Sequence, residues 1–197
     1  WETGSNGEKY YYRNGEKVTG EQCIAGQWYY FDVESGKMVT GLYNLGDKTV
    51  YYGQDGAMRY GEQAIGGFWY YFDVITGAMK TGFQNVDGKV VYYGSDGRMC
   101  YGEQAIEGYY YYFDNITGAM KNGFQNINGK IVYYESDGKM CHGEVAIEGY
   151  WYFFDTVTGA MQTGFQNVGN KEVYYGSDGK MCHGEVAIEG YWYLFDT

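Results

Sequence analysis

The chain has 197 residues, among them 26 Tyr, 10 Phe, 5 Trp and 33 Gly, with no Pro and with Leu only at Leu42, Leu45 and Leu194. Gly costs about 1 kcal/mol per helical position, whereas aromatic and β-branched residues suit pleated strands, so the composition excludes a helical protein and, being ring-rich, a disordered one. Fourteen basic against 25 acidic residues leave a net charge of −11, which argues against nucleic acid and against an anionic membrane surface, and no apolar run approaches the roughly 20 residues needed to span a bilayer.

In chain order, Trp1 opens the sequence without an initiator Met or a signal-like segment, so it reads as a piece of something longer. The first 19 residues form a partial unit. From Gly20 a 41-residue period takes over: Gly20, Gly61, Gly102, Gly143 and Gly184 each precede a Glu, and Lys139 to Trp151 recurs unchanged from Lys180 to Trp192. Four full units span residues 20–183, and a shortened final hairpin, 184–197, ends the chain. Residues 1–197 therefore read as one repeat domain.

Each unit splits into two half-repeats of about 20 residues. The first half runs from Gly61 to Thr81, the second from Gly82 to Tyr101. Both follow one plan: Gly, a short polar stretch, an aromatic run, an Asp- and Gly-containing turn, then Met. Alternation puts Trp69 and Tyr71 on one side of the run, Tyr70 and Phe72 on the other. The turns at Ile75-Thr76-Gly77 and Ser95-Asp96-Gly97 are expected to close a hairpin between the aromatic run and a short Met-bearing strand. A lone hairpin is marginal in water, so neighbours must stack. The expected fold is all-β: an elongated solenoid of stacked β-hairpins.

The recurring Gly-x-[Trp/Tyr]-Tyr-Tyr-Phe-Asp stretch, seen at Gly26 to Asp32 and Gly67 to Asp73, ends in Thr76-Gly77-Ala78-Met79-Lys80-Thr81-Gly82. This pattern resembles the choline-binding and glucan-binding repeats of bacterial surface proteins and, more loosely, the sugar-binding repeats of large clostridial toxins. The resemblance implies a secreted, non-catalytic module displayed at the bacterial cell surface, attached to a cell-wall hydrolase, a glucosyltransferase or an adhesin. It also implies ligand cages of two or three rings plus a Met, in which ring faces hold a quaternary ammonium. Carried over by position, the cages would be Trp69, Met79 and Phe83; Tyr110, Met120 and Phe124; and Trp151, Met161 and Phe165. The first unit offers Trp28 and Met38 but has Leu42 in the third place. Second halves carry Val90, Ile131 or Glu172 where the leading Trp would stand, so complete cages are expected at one of every two junctions. Amides such as Gln84 with Asn85 and Gln125 with Asn126, beside Phe and Tyr rings, would suit a sugar as well.

Other features have plainer readings. Most rings, and the Met ending each half, are expected to fill the shared core. The Glu after each leading Gly is either a solvated surface charge or a carboxylate standing where a cage ring would be. The Asp-Gly turns lack the ligand spacing of calcium loops, and Cys141-His142 and Cys182-His183 lack zinc spacing, so no metal and no cofactor are expected. Equivalent cysteines (Cys100, Cys141, Cys182) should lie too far apart to bridge, leaving half-exposed thiols open to pairing between chains. No catalytic constellation stands out, whereas repeated chemistry suits many weak sites acting together. The leading expectation is attachment to cell-wall choline or glycan. The alternatives are a spacer or self-assembling surface fibre with purely core rings, and a toxin-like array that binds host glycans.

Overall fold

The hairpin forms where a two-residue turn needs left-handed backbone at both positions. In the computed structural model, which describes residues 1–196, Gly102–Ile106 pairs antiparallel with Tyr109–Phe113. The intervening Glu107 and Gly108 have φ of +51° and +85°, the geometry that matches the twist of paired strands. The same pairing joins Gly61–Ile65 to Phe68–Phe72, Gly82–Val86 to Lys89–Tyr93, Gly123–Ile127 to Lys130–Tyr134, and Gly143–Ile147 to Tyr150–Phe154. Two short pairs, Glu2–Thr3 with Lys9–Tyr10 and Tyr12–Arg13 with Glu16–Lys17, make up the partial unit. The final hairpin pairs Gly184–Ile188 with Tyr191–Phe195 along its whole length; of the stretch 184–197, Thr197 lies outside the described residues.

The hairpin turn therefore precedes the aromatic run, where the sequence pattern had placed it after. The reason lies in Asp73 and its counterparts. Asp73 Oδ1 accepts hydrogen bonds from the backbone N–H of Ile75 (3.1 Å) and Thr76 (2.9 Å) and from Thr76 Oγ1 (2.9 Å). This Asx-type wrap folds the chain back for only one residue, so Met79 makes a single bridge to Phe72 in place of a second full strand.

That Met is also the stitch to the preceding hairpin. Met79 N–H donates to Thr49 O (2.7 Å), Met99 N–H to Trp69 O (2.8 Å) and Met140 N–H to Tyr110 O (2.9 Å). Every sheet is two-stranded, and these links between hairpins propagate the repeat, giving an all-β hairpin solenoid. The chain divides into two compact units, residues 1–100 and residues from 101 onward.

The core follows from the last ring of each run. Phe31, Phe72, Phe113 and Phe154, alternating with Tyr52, Tyr93, Tyr134 and Tyr175, are all fully buried. Met side chains fill the remaining gaps. A Cβ added at Gly97 would collide with Met79 Sδ, and the same holds for Gly138 with Met120 and Gly179 with Met161. With almost no Leu, rings and thioethers supply the apolar volume.

Candidate functional site

Pairing register decides which side chains share a face. In the hairpin that starts at Gly102, Glu103 lies opposite Tyr112 and Ala105 opposite Tyr110. Period-two alternation puts these four on one side, and the small Ala leaves Tyr110 half-exposed. A groove of about 580 Å³ opens there, lined by Glu103, Tyr110, Tyr112, Met140, Lys130 and Thr158. The first unit contains a smaller version of about 250 Å³, in which Glu21, Trp28, Met58, Tyr60, Lys48 and Thr76 converge. A third groove, about 510 Å³, holds Glu144, Lys171, Met181 and His183.

Rings, a thioether and a carboxylate around an open space form a site for a soft organic cation: the ring faces and sulfur are polarisable, and the carboxylate carries the opposite charge. The opposite face of the same hairpins demonstrates the chemistry with the chain's own cations. Arg98 lies over Phe68 at 3.9 Å, Lys139 over Tyr109 at 4.7 Å and Lys180 over Tyr150 at 4.1 Å. Arg98 Nε also donates to Tyr70 Oη at 3.2 Å. Those ring faces are covered by the chain's own cations, whereas the leading rings on the Glu-bearing face are half-exposed.

The carboxylates on that face are not merely solvated. The Tyr93 hydroxyl donates to Glu62 Oε1 at 3.0 Å, and the Tyr175 hydroxyl to Glu144 Oε1 at 2.9 Å. Glu21 instead sits 3.8 Å from Lys48 Nζ. Burial, followed by the acceptor Glu144, holds the Tyr175 phenol far above its ordinary pKa.

The model of the choline-binding repeat matches residues 1–40, 39–82, 80–123, 121–163 and 162–197, covering the sequence from end to end. The chain belongs to the choline-binding repeat family. Solved structures of choline-binding proteins are similar to it. Choline binding protein F from Streptococcus pneumoniae, crystallised with a peptidoglycan analogue, shares 29% identity over 96% of this chain and 81% of its own, with a TM-score of 0.70. The choline-binding domain of CbpL from Streptococcus pneumoniae shares 27% identity over 90% of this chain and 94% of its own, with a TM-score of 0.68. The modular autolysin LytC from Streptococcus pneumoniae, at 20% identity over 92% of this chain and 48% of its own and a TM-score of 0.59, shares the fold. No curated protein matches the sequence significantly.

Within this choline-binding repeat array, the leading rings Trp28, Trp69, Tyr110 and Trp151 are all 42–47% exposed. The groove that holds Trp28 is lined by Met58, not Met38, and the groove that holds Tyr110 by Met140, not Met120 or Phe124. Met38 is only 7% exposed, with its side chain against Gly56. Met79, Met120 and Met161 likewise pack on turn glycines of the next hairpin. Phe83, Phe124 and Phe165 turn to Tyr92, Tyr133 and Tyr174 at 4.8–4.9 Å. Phe124 and Phe165 also pack edge-on against Tyr152 and Tyr193, at 5.2 and 5.3 Å. The Met partner of a leading ring is thus the one 30 positions on, because its backbone N–H is bound to that ring's carbonyl. The constant spacing of Trp28 to Met58, Trp69 to Met99, Tyr110 to Met140 and Trp151 to Met181 is the signal that identifies it.

Two further expectations change. Gln84 and Gln125 spend their amide N–H on the backbone carbonyls of Thr81 and Asn122, both at 2.8 Å, and Asn126 Oδ1 accepts from Gly129 N–H at 2.9 Å. These amides lock strand entry and turn, leaving less for a sugar. Cys141 is not half-exposed: it is 3% exposed, in a cluster with Ile147, Tyr152 and Phe154. Cys100 and Cys182 are partly exposed and Cys23 is exposed; all four are free thiols.

Proposed function

We propose that this chain recognises choline carried on the bacterial cell wall and thereby attaches its parent protein to that surface, through several weak, equivalent grooves. The observation that carries the reading is the recurrence of one constellation, a half-exposed leading ring with the Met 30 residues downstream and a Glu beside them, in the Trp28 and Tyr110 grooves. Family membership supports choline as the cation. The structure solved for choline binding protein F in the presence of a peptidoglycan analogue supports the wall as its setting. Secretion and surface display accord with this role, and a catalytic partner domain, as in a modular autolysin, is one parent it would suit. Linked weak sites give retention beyond any single affinity.

The test is retention on a quaternary-amine resin followed by elution with choline, together with choline titration by tryptophan fluorescence. Elution by millimolar choline and a saturable signal are expected. A folded protein that ignores choline but binds immobilised glucan would replace this reading with a glycan-binding one, and silence towards both would leave a spacer.

A further inference from the structure

Each Gly-Glu hairpin followed by a complete second half has a fully buried tyrosine 31 residues after its Glu, at Tyr52, Tyr93, Tyr134 and Tyr175. Tyr93 reaches Glu62, and Tyr175 reaches Glu144. The equivalent hydroxyls of Tyr52 and Tyr134 are buried and unpaired among the described residues. Both phenols are pushed far above their usual pKa, chiefly by burial and next by the charges of Glu21 and Glu103 respectively. Two of the four buried tyrosines thus hold the carboxylate 31 residues upstream by a hydrogen bond.

A hydroxyl that donates to one carboxylate oxygen fixes the orientation of the group. In the bonded pairs the donor is on Oε1, and no bond to Oε2 is present among the described residues. Of these carboxylates only Glu21 has a lysine partner among the described residues: Lys48, which donates to Thr76 O at 3.2 Å, forms a loose ion pair with it at 3.8 Å. Lys130 and Lys171 line the grooves of Glu103 and Glu144 without forming an ion pair among the described residues. A quaternary ammonium has no N–H to donate, so the carboxylate acts on it through charge alone.

Resting on the choline reading above, we infer that Glu21, Glu62, Glu103 and Glu144 supply the counter-charge for the ammonium where a further ring would otherwise stand. Tyr93 behind Glu62 and Tyr175 behind Glu144 are the positioning residues. The grooves then select for charge as well as shape.

The experiment compares choline with its uncharged carbon isostere, 3,3-dimethylbutan-1-ol, by calorimetric titration of the full chain. Glu21→Gln, Glu62→Gln, Glu103→Gln and Glu144→Gln are combined in one variant, since Gln retains the acceptor that the tyrosines need. Choline affinity is expected to fall about three- to tenfold, the range for a partly solvated charge pair, while isostere affinity holds. Tyr93→Phe with Tyr175→Phe should give a smaller loss for choline and none for the isostere. Equal affinity of the wild-type chain for the two ligands, or a parallel loss for both in the Gln variant, would overturn the carboxylate assignment alone. Wild-type protein that binds neither ligand would overturn the choline reading with it.

Discussion

The hydroxyl of Tyr175, a fully buried side chain, donates to Glu144 Oε1 at 2.9 Å, whereas the equivalent hydroxyl of Tyr134 is buried with no partner among the described residues. Chemically identical positions thus carry opposite hydrogen-bond balances. A hydrogen bond to a charged group contributes about 1.5–3 kcal/mol, and a buried unpaired hydroxyl costs about 1–3 kcal/mol. Tyr175→Phe should therefore destabilise the fold, and Tyr134→Phe should be neutral or stabilising. Urea midpoints of the two variants measure the contrast directly.

The rings divide by depth into half-exposed leading rings and buried core rings. Phe72 is fully buried and Trp69, on the adjoining face, is half-exposed. Phe72→Ala should cost about 3–5 kcal/mol through lost packing and a residual cavity. Trp69→Ala should cost far less stability but remove one choline site. Calorimetric stoichiometry, read beside a denaturation curve, separates the two outcomes.

Turn glycines divide in the same way. Gly88 has φ of +78° with open space where a Cβ would stand; Gly97 has φ of +79° but would drive its Cβ into Met79. Gly88→Ala should cost about 1–2 kcal/mol, the left-handed penalty alone. Gly97→Ala must add a displaced thioether. In a Met79→Ala background the cost of Gly97→Ala should shrink towards that of Gly88→Ala, as thermal denaturation of the four variants will show.

The period, the half-repeat and the face shared by Trp69 and Tyr71 were legible in the sequence because alternation and copying are local properties. The hairpin turn was misplaced because a half-repeat can carry two equal turn signals, such as Asp87-Gly88 and Asp96-Gly97 on either side of one aromatic run, and local sequence does not rank them. Only the pairing of Gly61–Ile65 with the aromatic run shows that its partner lies upstream. The Met that lines a leading ring's groove was not legible for a related reason. Met79 is near Trp69 in sequence, but the solenoid brings the Met99 backbone to the Trp69 carbonyl, a neighbour set by the rise between hairpins. The burial of Cys141 was equally invisible, since Arg59 occupies the same repeat position and reaches solvent.

Acid should loosen the wraps that end each aromatic run. The Thr76 N–H and then Lys80 hold the Asp73 carboxyl well below the usual carboxylate range, and the Thr117 N–H and then Lys121 do the same for Asp114. A depressed folded-state pKa contributes stability that is present above the unfolded value, about 3.9, and is lost as pH falls towards the folded value. Urea midpoints should hold from neutral pH down to about pH 5 and decline below about pH 4. Asp73→Asn with Asp114→Asn should start lower and decline less steeply.

Thiol reactivity should follow depth. Burial, reinforced by Glu135, pushes the Cys141 thiol up to about 12, and burial also raises Cys100. The thiolate is the reacting species, so at pH 8 iodoacetamide should modify exposed Cys23 first and Cys141 last. Peptide mass spectrometry over a time course gives the order; early labelling of Cys141 would mean that its hairpin opens readily.

The grooves should also differ in strength by their leading ring. Trp28, Trp69 and Trp151 hold this place in the first, second and fourth units, and Tyr110 holds it in the third. Trp presents the better cation–π face, and Tyr110 lies opposite the small Ala105 in a groove of about 580 Å³, so a larger indole has room without disturbing the core. Tyr110→Trp is expected to tighten choline binding at that groove by about two- to fivefold, at a gain of about 0.5–1 kcal/mol, with stability unchanged. Because Tyr110 is half-exposed, the new indole adds a fluorescence signal that reports on its own groove. With Trp1, Trp28, Trp69, Trp151 and Trp192 all changed to Phe, that indole is the sole one in the chain and its signal isolates the groove; a choline midpoint no lower than the calorimetric midpoint of the same background carrying Tyr110 would show that the leading ring does not set affinity.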